Sequence, residues 1–332
     1  MKRIIRIALS VILTISTGMA FYTPVSARTV IASKAEKLEY TGGDGYTMPY
    51  RLYVPEKYDE SKKYPVLLFL HGAGERGNDN VSQLSNAIQV LFNTREKLLK
   101  NTIVICPQCP NGEQWVSYDW SQGNYSTKRV KESRAIQAAL AILSDVESKY
   151  SCDADRVYAF GLSMGGYGVW DLLARHGELF AAGVPCCGGG DESKAEELSE
   201  IPIWCYHGTA DDIVKYQGTK GMYDAISAYG RERITFTSVK GAGHNVWDAA
   251  ASNEELIDWM YAQNLSLRYP EQEEPQDTDD PVPTDDAPEQ TPGQTTSPKN
   301  GWVIPVIAGT CALAALAAAA VVAVVVIRKR RS

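Results

Sequence analysis

Gly161-Leu162-Ser163-Met164-Gly165 follows a short apolar segment and precedes a segment with helical periodicity. On such a sharp strand-to-helix turn the serine has a strained backbone, and small residues two positions away on either side let the neighbouring backbone pass closely. The hydroxyl then lies at the positive end of the helix, and the next backbone N–H can donate to a developing oxyanion. We therefore predict that Ser163 is a nucleophile. The alternative is a glycine-rich turn with an incidental serine.

Predicted strands and helices alternate on both sides of this turn. A hairpin is predicted over 38–54, and a continuous apolar run predicts a buried strand at 65–70. Buried strands are also predicted at 102–106 and 156–160, and further strands at 181–186, 201–206 and 234–239. Periodicity predicts helices at 81–100, 131–150, 164–175, 219–230 and 252–264. This alternation predicts an α/β fold, with a mostly parallel central sheet and helices on both faces, in one domain over 32–268. The long connection 107–131 is of a kind that is usually functional in a compact domain.

Four segments carry a resemblance to a known superfamily. They are His-Gly-Ala-Gly-Glu-Arg-Gly (71–77), Cys-Pro-Gln-Cys-Pro (106–110), Gly-Leu-Ser-Met-Gly-Gly-Tyr-Gly-Val-Trp (161–170) and Gly-His-Asn-Val-Trp (243–247). With them the sequence resembles the α/β-hydrolase superfamily, from the entry hairpin to the last helix. It is similar to secreted esterases and to prolyl-oligopeptidase-type peptidases, with the feruloyl- and acetyl-esterase and dienelactone-hydrolase branches nearest. The resemblance implies the α/β-hydrolase fold and serine hydrolase chemistry.

A serine hydroxyl is a poor nucleophile near neutral pH and needs an adjacent base. The chain has four histidines: His71, His176, His207 and His244. His71 and His207 each end a predicted strand before a glycine, which suits a structural role, and His176 ends a predicted helix, where a cation is favourable. His244 follows the last predicted strand in a glycine-flanked loop, where an α/β-hydrolase has its base. We predict His244 as the general base, against the alternative of a solvated loop histidine.

The imidazole of a general base needs a carboxylate that fixes its tautomer and stabilises its charged form. Asp211 and Asp212 follow the predicted strand 201–206 in the segment His-Gly-Thr-Ala-Asp-Asp-Ile-Val. The related pattern His-Gly-x-x-Asp-x-x-Val selects Asp211 and leaves Asp212 as a solvated turn residue. The order Ser163, Asp211, His244 is also the order expected of this fold.

The remaining site predictions concern the oxyanion and the substrate. We predict an oxyanion hole from the backbone N–H groups of Met164 and Ala73, because the glycines of 71–74 let that loop approach the substrate. Glu75 and Arg76 are predicted to hold the loop in place rather than to touch substrate. Aromatic faces suit sugar rings or phenolic acyl groups, and such side chains also fill ordinary cores; the candidates for substrate binding are Trp115, Trp120, Tyr125 and Trp247.

Both ends of the chain differ from its middle. Residues 1–27 have the charged, apolar and small-residue order of a secretory signal peptide, with a membrane-retained anchor as the alternative. Residues 269–300 are acidic and rich in Pro and Thr, which predicts a disordered linker. The apolar run 302–327 is long enough to be a transmembrane helix, and the basic tail 328–332 should stay cytoplasmic. We expect a single-pass protein on the extracellular face of the membrane.

Seven cysteines are present, of which Cys311 falls in the predicted membrane helix. The other six allow fifteen pairings, among which the sequence does not choose. Cys106-Pro-Gln-Cys109 resembles a redox motif, but it ends a strand instead of opening a helix, which favours buried free thiols or one adventitious disulfide over a redox role. We expect no metal site, no cofactor and no nucleic-acid partner, because metal-ligand spacing, a phosphate-binding loop and a basic patch are all lacking. The net charge of −7 says little about ligands, because the linker carries most of the acidic excess.

These observations and the resemblance together lead to one expected function and two alternatives. The expected function is a surface-anchored serine hydrolase that cleaves carboxylic esters through an acyl-enzyme, with small-molecule or polysaccharide esters as substrates. One alternative is a serine peptidase of the prolyl-oligopeptidase type. The other is a catalytically inactive surface binding module that keeps the fold.

Overall fold

A computed structural model describes residues 29–94 and 100–268. The strands are β1 (Glu36–Thr41), β2 (Thr47–Tyr53), β3 (Tyr64–Leu70), β4 (Ile103–Pro107), β5 (Cys152–Leu162), β6 (Ala182–Cys186), β7 (Ile203–Gly208) and β8 (Ile234–Val239). The helices are α1 (Thr29–Lys34), α2 (Ala87–Thr94), α3 (Arg134–Lys149), α4 (Met164–His176), α5 (Ala195–Leu198), α6 (Tyr216–Ser227), α7 (Trp247–Ser252), α8 (Glu254–Ala262) and α9 (Leu265–Arg268). The described residues belong to one compact unit.

The eight strands form one sheet in the order β1-β2-β4-β3-β5-β6-β7-β8. β1 and β2 form the predicted antiparallel hairpin, β2 pairs antiparallel with β4, and every other neighbouring pair is parallel. Parallel strands bring their carboxyl ends to one edge of the sheet, and the loops that follow β3, β5, β7 and β8 meet there. The predicted α/β class, with its mostly parallel sheet, is confirmed.

Two hydrophobic cores cover the two faces of the sheet, and the central strand β3 feeds both. Val66, Leu68 and Leu70 pack into the core that holds α3 and α4, whereas Leu67 and Phe69 pack into the core that holds α2 and α8. Successive side chains of a strand point to opposite faces, so a continuous apolar run is what a strand covered on both faces requires. This explains why the predicted strand 65–70 is found at its predicted place, and the other five predicted strands are also found close to theirs.

Several predicted helix bounds were wrong. The predicted helix 81–100 begins only at Ala87, after a 3-10 turn at Ser82–Leu84. The predicted start at 131 moves to Arg134, because the Ser133 hydroxyl caps the helix by accepting from the Ile136 amide. The helices α1, α5 and α9 were not predicted.

The predicted last helix, 252–264, corresponds to α8, and α7, which ends at Ser252, was not predicted either. The side chain of Asn253 accepts hydrogen bonds from the amides of Glu255 and Leu256, so it ends α7 and caps α8. An N-cap asparagine has non-helical backbone angles, which is why one continuous helix cannot run through it. The pair Asn253-Glu254 was a capping signal that the sequence offered.

No helix among residues 29–94 and 100–268 is long and apolar enough to cross a membrane. The predicted signal peptide 1–27, linker 269–300, transmembrane helix 302–327 and basic tail 328–332 lie outside the described residues.

Candidate active site

Ser163 lies on the turn between β5 and α4 with φ 53° and ψ −118°, a left-handed conformation that is unfavourable for a residue with a side chain. Its amide donates to the Cys186 carbonyl at 2.8 Å, which ties the turn to the end of β6. A Cβ at Gly161 would lie 2.3 Å from the Gly165 carbonyl oxygen, so only glycine fits there. The turn therefore has the strain and the close packing that the sequence predicted.

The structure brings Ser163, His244 and Asp211 into one hydrogen-bonded chain. His244 Nε2 lies 2.8 Å from Ser163 Oγ, and His244 Nδ1 lies 2.7 Å from Asp211 Oδ2. The three residues follow β5, β8 and β7, whose carboxyl ends share one edge of the sheet. A neutral imidazole with its hydrogen on Nδ1 donates to the carboxylate and leaves Nε2 to accept the serine proton.

Asp211 is held as a carboxylate by several donors. Its side chain is fully buried, and its Oδ1 accepts from the amides of Ile213 and Val214, both at 2.9 Å. Burial alone raises the pKa of Asp211, but hydrogen bonds from His207, His244 and the two amides outweigh burial and hold it well below its usual range. The neighbouring Asp212 is exposed, as predicted for a turn residue.

His207 is a contact of this site that sequence reasoning did not find. It was assigned a structural role, yet its Nε2 lies 3.0 Å from the same Asp211 Oδ2 that faces His244. Its Nδ1 lies 2.7 Å from Thr219 Oγ1 on α6, and its side chain is fully buried. The sequence signal for this contact was the spacing His207-x-x-x-Asp211, which places both residues at the carboxyl end of β7.

The loop after β3 lies beside the serine. A Cβ at Gly72 would be 3.6 Å from the Ser163 Cβ, and a 3-10 turn begins at Ala73. Arg76 Nε donates to the Ala73 carbonyl at 2.9 Å, and Glu75 accepts from Asn86 at 2.9 Å, so both charged residues make contacts that hold this loop. Met164 is the first residue of α4, where an N–H has no partner within the helix. Met164 and Ala73 remain the predicted oxyanion donors.

Two of the four aromatic candidates are core residues, and their predicted substrate contact is wrong. Trp115 has no exposed surface, and its indole N–H donates to the His71 carbonyl at 2.9 Å. Tyr125 is 7% exposed, and its hydroxyl donates to the buried Asp171 at 2.7 Å. Both tie the connection 107–131 to the sheet and to α4. They were misplaced because a loop pattern does not show which side chains face inward.

Of the other two aromatic candidates, Trp247 lies beside His244 and Trp120 is partly exposed to solvent. Trp247 packs edge to face on the His244 ring, with 5.2 Å between ring centroids and an interplanar angle of 85°. Trp120 is half-buried and, with Tyr118, Glu113 and Arg134, lines a cavity of about 620 Å³. Ser163 is not among the residues that line this cavity. Substrate contact by Trp120 and Trp247 stays a prediction.

All six cysteines of the described part are buried and unpaired with one another. Burial raises the pKa of Cys106 and Cys109 well above the usual thiol range, which agrees with the expectation of unreactive buried thiols. Cys187 has a positive φ of 51°, and its thiol donates to the His244 carbonyl at 3.1 Å. This contact ties the loop of the predicted base to the end of β6.

The tertiary structure also gathers three residues of metal-ligating type that sequence spacing did not indicate. Ligand atoms of Cys187, His207 and Asp211 lie within 4.8 Å of one another, the one such group among the residues described. The histidine and aspartate atoms are already engaged in hydrogen bonds to Val214, Thr219, His244 and each other. Those hydrogen bonds account for the grouping, and we assign no metal to it.

Comparison with known proteins shows that the chain is similar to esterases. The family model described as "Putative esterase" matches residues 45–188, which include Ser163 but neither Asp211 nor His244. A bifunctional acetylxylan esterase/xylanase of Neocallimastix patriciarum is 25% identical over 236 residues, which cover 69% of this chain and 31% of that protein. "Probable feruloyl esterase C" of Aspergillus terreus is 26% identical over 172 residues, covering 51% of this chain and 57% of that protein.

A solved structure, described as a thermostable esterase, superposes with a TM-score of 0.64 and 30% sequence identity, covering 70% of this chain and 64% of that one. The chain thus spans less than two thirds of each of these three proteins. With the sheet order, these likenesses show that the chain has an α/β-hydrolase-like fold and is similar to esterases.

Proposed function

We propose that this chain is a serine hydrolase of carboxylic esters that works through an acyl-enzyme. The observation that carries the proposal is the hydrogen-bonded chain from Asp211 through His244 to the strained Ser163. A serine, an imidazole and a buried carboxylate in this order are what nucleophilic acyl transfer requires. The likeness to esterases agrees with it.

In this mechanism His244 Nε2 takes the proton of Ser163 as its Oγ attacks the ester carbonyl. The charge that develops on the carbonyl oxygen is held by the N–H groups of Met164 and Ala73. Asp211 stabilises the imidazolium that forms. The protonated His244 then donates its proton to the leaving alcohol, and the acyl group stays on Ser163. Water, deprotonated by His244, attacks the acyl-enzyme and releases the acid.

Further parts of the proposal are location and substrate. An N-terminal signal and the C-terminal run 302–327 with its basic tail would place the enzyme on the extracellular face of a membrane. Esters on extracellular polymers, such as acetylated or feruloylated polysaccharide, would then be within its reach. Two relatives whose names contain acetylxylan esterase and feruloyl esterase support this substrate class.

The test is hydrolysis of p-nitrophenyl acetate, a feruloyl ester and acetylated xylan by the full chain, together with labelling by a fluorophosphonate probe. We expect Ser163→Ala and His244→Gln to abolish hydrolysis, and Ser163→Ala to abolish labelling. His176→Gln is the matched control, because His176 pairs with Glu132 away from the site. A Ser163→Ala variant as active as the parent would refute the mechanism.

Peptidase activity is a separate outcome of the same assay. A serine peptidase has the same three groups but must protonate an amine leaving group, so peptidyl amides added to the panel distinguish the two chemistries. Turnover of amides at rates above those of matched esters would favour the peptidase. Failure of the parent chain to react with the probe would favour a binding module.

A further inference from the structure

His207 faces only hydrogen-bond acceptors through its Nε2. That nitrogen lies 3.0 Å from Asp211 Oδ2 and 3.1 Å from the Val214 carbonyl oxygen. A backbone carbonyl has no hydrogen to donate, and neither has an ionised carboxylate. The hydrogen between them therefore belongs to His207 Nε2.

The other ring nitrogen also requires its own hydrogen. Thr219 Oγ1 lies 2.7 Å from His207 Nδ1 and 2.6 Å from the Gly188 carbonyl oxygen. A hydroxyl carries one hydrogen, and two oxygens at 2.6 Å repel unless a hydrogen lies between them. The Thr219 hydrogen is thus committed to Gly188, and the contact to His207 needs a hydrogen on Nδ1. Both nitrogens carry hydrogens, which makes the ring a cation.

The groups around His207 leave Asp211 as the counter-charge. Cys187 approaches from the end of β6, and burial raises the pKa of its thiol to about 12, so it is neutral at physiological pH. From α6 come the neutral Thr219 and the ring of Tyr216, edge-on at 5.7 Å. His244 lies beyond Asp211. A fully buried cation without a partner is strongly disfavoured, so its pairing with a buried carboxylate stabilises both.

We propose that His207 is a protonated positioning residue that holds the Asp211 carboxylate ionised and aimed at His244. This rests on the proposed function, since it assigns Asp211 to the base. The same Asp211 oxygen faces both imidazoles, at 3.0 and 2.7 Å. A cation at that oxygen opposes a second positive charge on His244.

His71 is an internal reference for this assignment. It too is fully buried, but its Nδ1 donates to the Gly72 carbonyl at 2.6 Å while its Nε2 accepts from the Cys109 amide at 2.9 Å. One nitrogen donates and one accepts, so the ring is neutral. Burial lowers the pKa of His71 to about 4, in agreement with that hydrogen-bond pattern. Two buried histidines of one fold therefore have opposite charge states because of their partners.

The direct test is ¹⁵N NMR of the histidine-labelled full chain, whose four histidines are assigned by single substitutions. In the range around neutral pH, from about 6 to about 8, we expect both ring nitrogens of His207 to show the ¹⁵N chemical shift of an imidazolium ring. His71 should show one protonated and one bare nitrogen over that range. A bare nitrogen on His207 at pH 7 would overturn the proposal. This measurement needs no enzymatic activity, so it stands even if the proposed function fails.

The functional test is the pH profile of kcat/KM for ester hydrolysis, whose acid limb follows deprotonation of the base in the free enzyme. His207→Gln keeps an N–H donor but removes the charge, so we expect the acid limb to move to higher pH by about one unit. A variant that loses rate without any such movement would show a merely structural role and would refute the electrostatic one. His176→Gln should leave the limb where it is.

Thr219 supplies a second pair of variants, useful if His207→Gln does not fold. Thr219→Ser keeps the acceptor for Nδ1–H and should preserve the acid limb and the imidazolium signals. Thr219→Val removes that acceptor, so His207 should lose its Nδ1 hydrogen and the acid limb should move in the same direction as in His207→Gln. Identical profiles for the serine and valine variants would contradict the assignment.

Discussion

Gly165 lies so close to Leu70 that a Cβ on Gly165 would come within 2.0 Å of the Leu70 carbonyl oxygen. This contact joins the first turn of α4 to the end of β3, which is how the serine turn sits directly against the sheet. Only a residue without a side chain allows the two backbones to approach this closely. The glycine two positions after Ser163 is therefore a packing requirement.

The first prediction is that Gly165→Ala destabilises the protein by about 3 kcal/mol or more, because the added methyl meets backbone that cannot move away. The measurement is the free energy of unfolding in urea. Gly43→Ala is the matched control, since Gly43 is exposed and a Cβ there would meet nothing within 4 Å. Equal stability of the two variants would show that α4 can shift away from β3.

The second prediction separates two adjacent aspartates. Asp211→Asn should reduce kcat for ester hydrolysis by about 10⁴-fold, because the neutral amide no longer holds His244 in the reactive tautomer. Asp212→Asn should remain within a few-fold of the parent, because Asp212 is exposed. Steady-state kinetics on p-nitrophenyl acetate decide between them, and a large loss in the Asp212 variant would reverse the assignment.

The third prediction concerns acid stability. Burial lowers the pKa of His71 to about 4, below the usual value of 6.5. Between these two pH values the unfolded chain therefore binds a proton that the folded chain excludes. Stability is therefore unaffected by this group above about pH 6.5 and falls as pH drops from there to about 4, by up to about 1.4 kcal/mol per pH unit.

This contribution is measured as the slope of unfolding free energy against pH in the parent and in His71→Gln. The parent should lose more stability than the variant between these two pH values. A parent and variant with parallel curves would mean that His71 is protonated in the folded protein as readily as in the unfolded one.

The fourth prediction tests the corrected role of Tyr125. Its hydroxyl donates to the buried Asp171, so Tyr125→Phe should lower the free energy of unfolding by about 1–3 kcal/mol by leaving that carboxylate short of a donor. KM for ester substrates should not change, because the ring is buried. Tyr229→Phe, at an exposed ring, is the stability control. A changed KM with an unchanged free energy of unfolding would show instead that Tyr125 contacts substrate.

Much of the candidate site was predictable because its main residues come directly after the carboxyl ends of strands. Ser163, Asp211 and His244 each come after a predicted strand, and parallel strands bring such positions to one edge of the sheet. The helix break at Asn253 was also within reach, since asparagine before two acidic residues is a capping signal. Predictions of this kind need local patterns, the rule that orders parallel strands and, for the choice of Asp211 and His244, the resemblance to α/β-hydrolases.

By itself, the sequence determined the α/β class and the strained turn at Ser163, because periodicity and turn chemistry are local properties, and its resemblance to α/β-hydrolases indicated Asp211 and His244. The tertiary structure alone decided that Trp115 and Tyr125 face inward and that His207 shares an oxygen of Asp211 with His244. Those outcomes depend on which surfaces pack together from distant parts of the chain. Side-chain direction in a long loop, and the partner of a buried polar atom, are set by that packing.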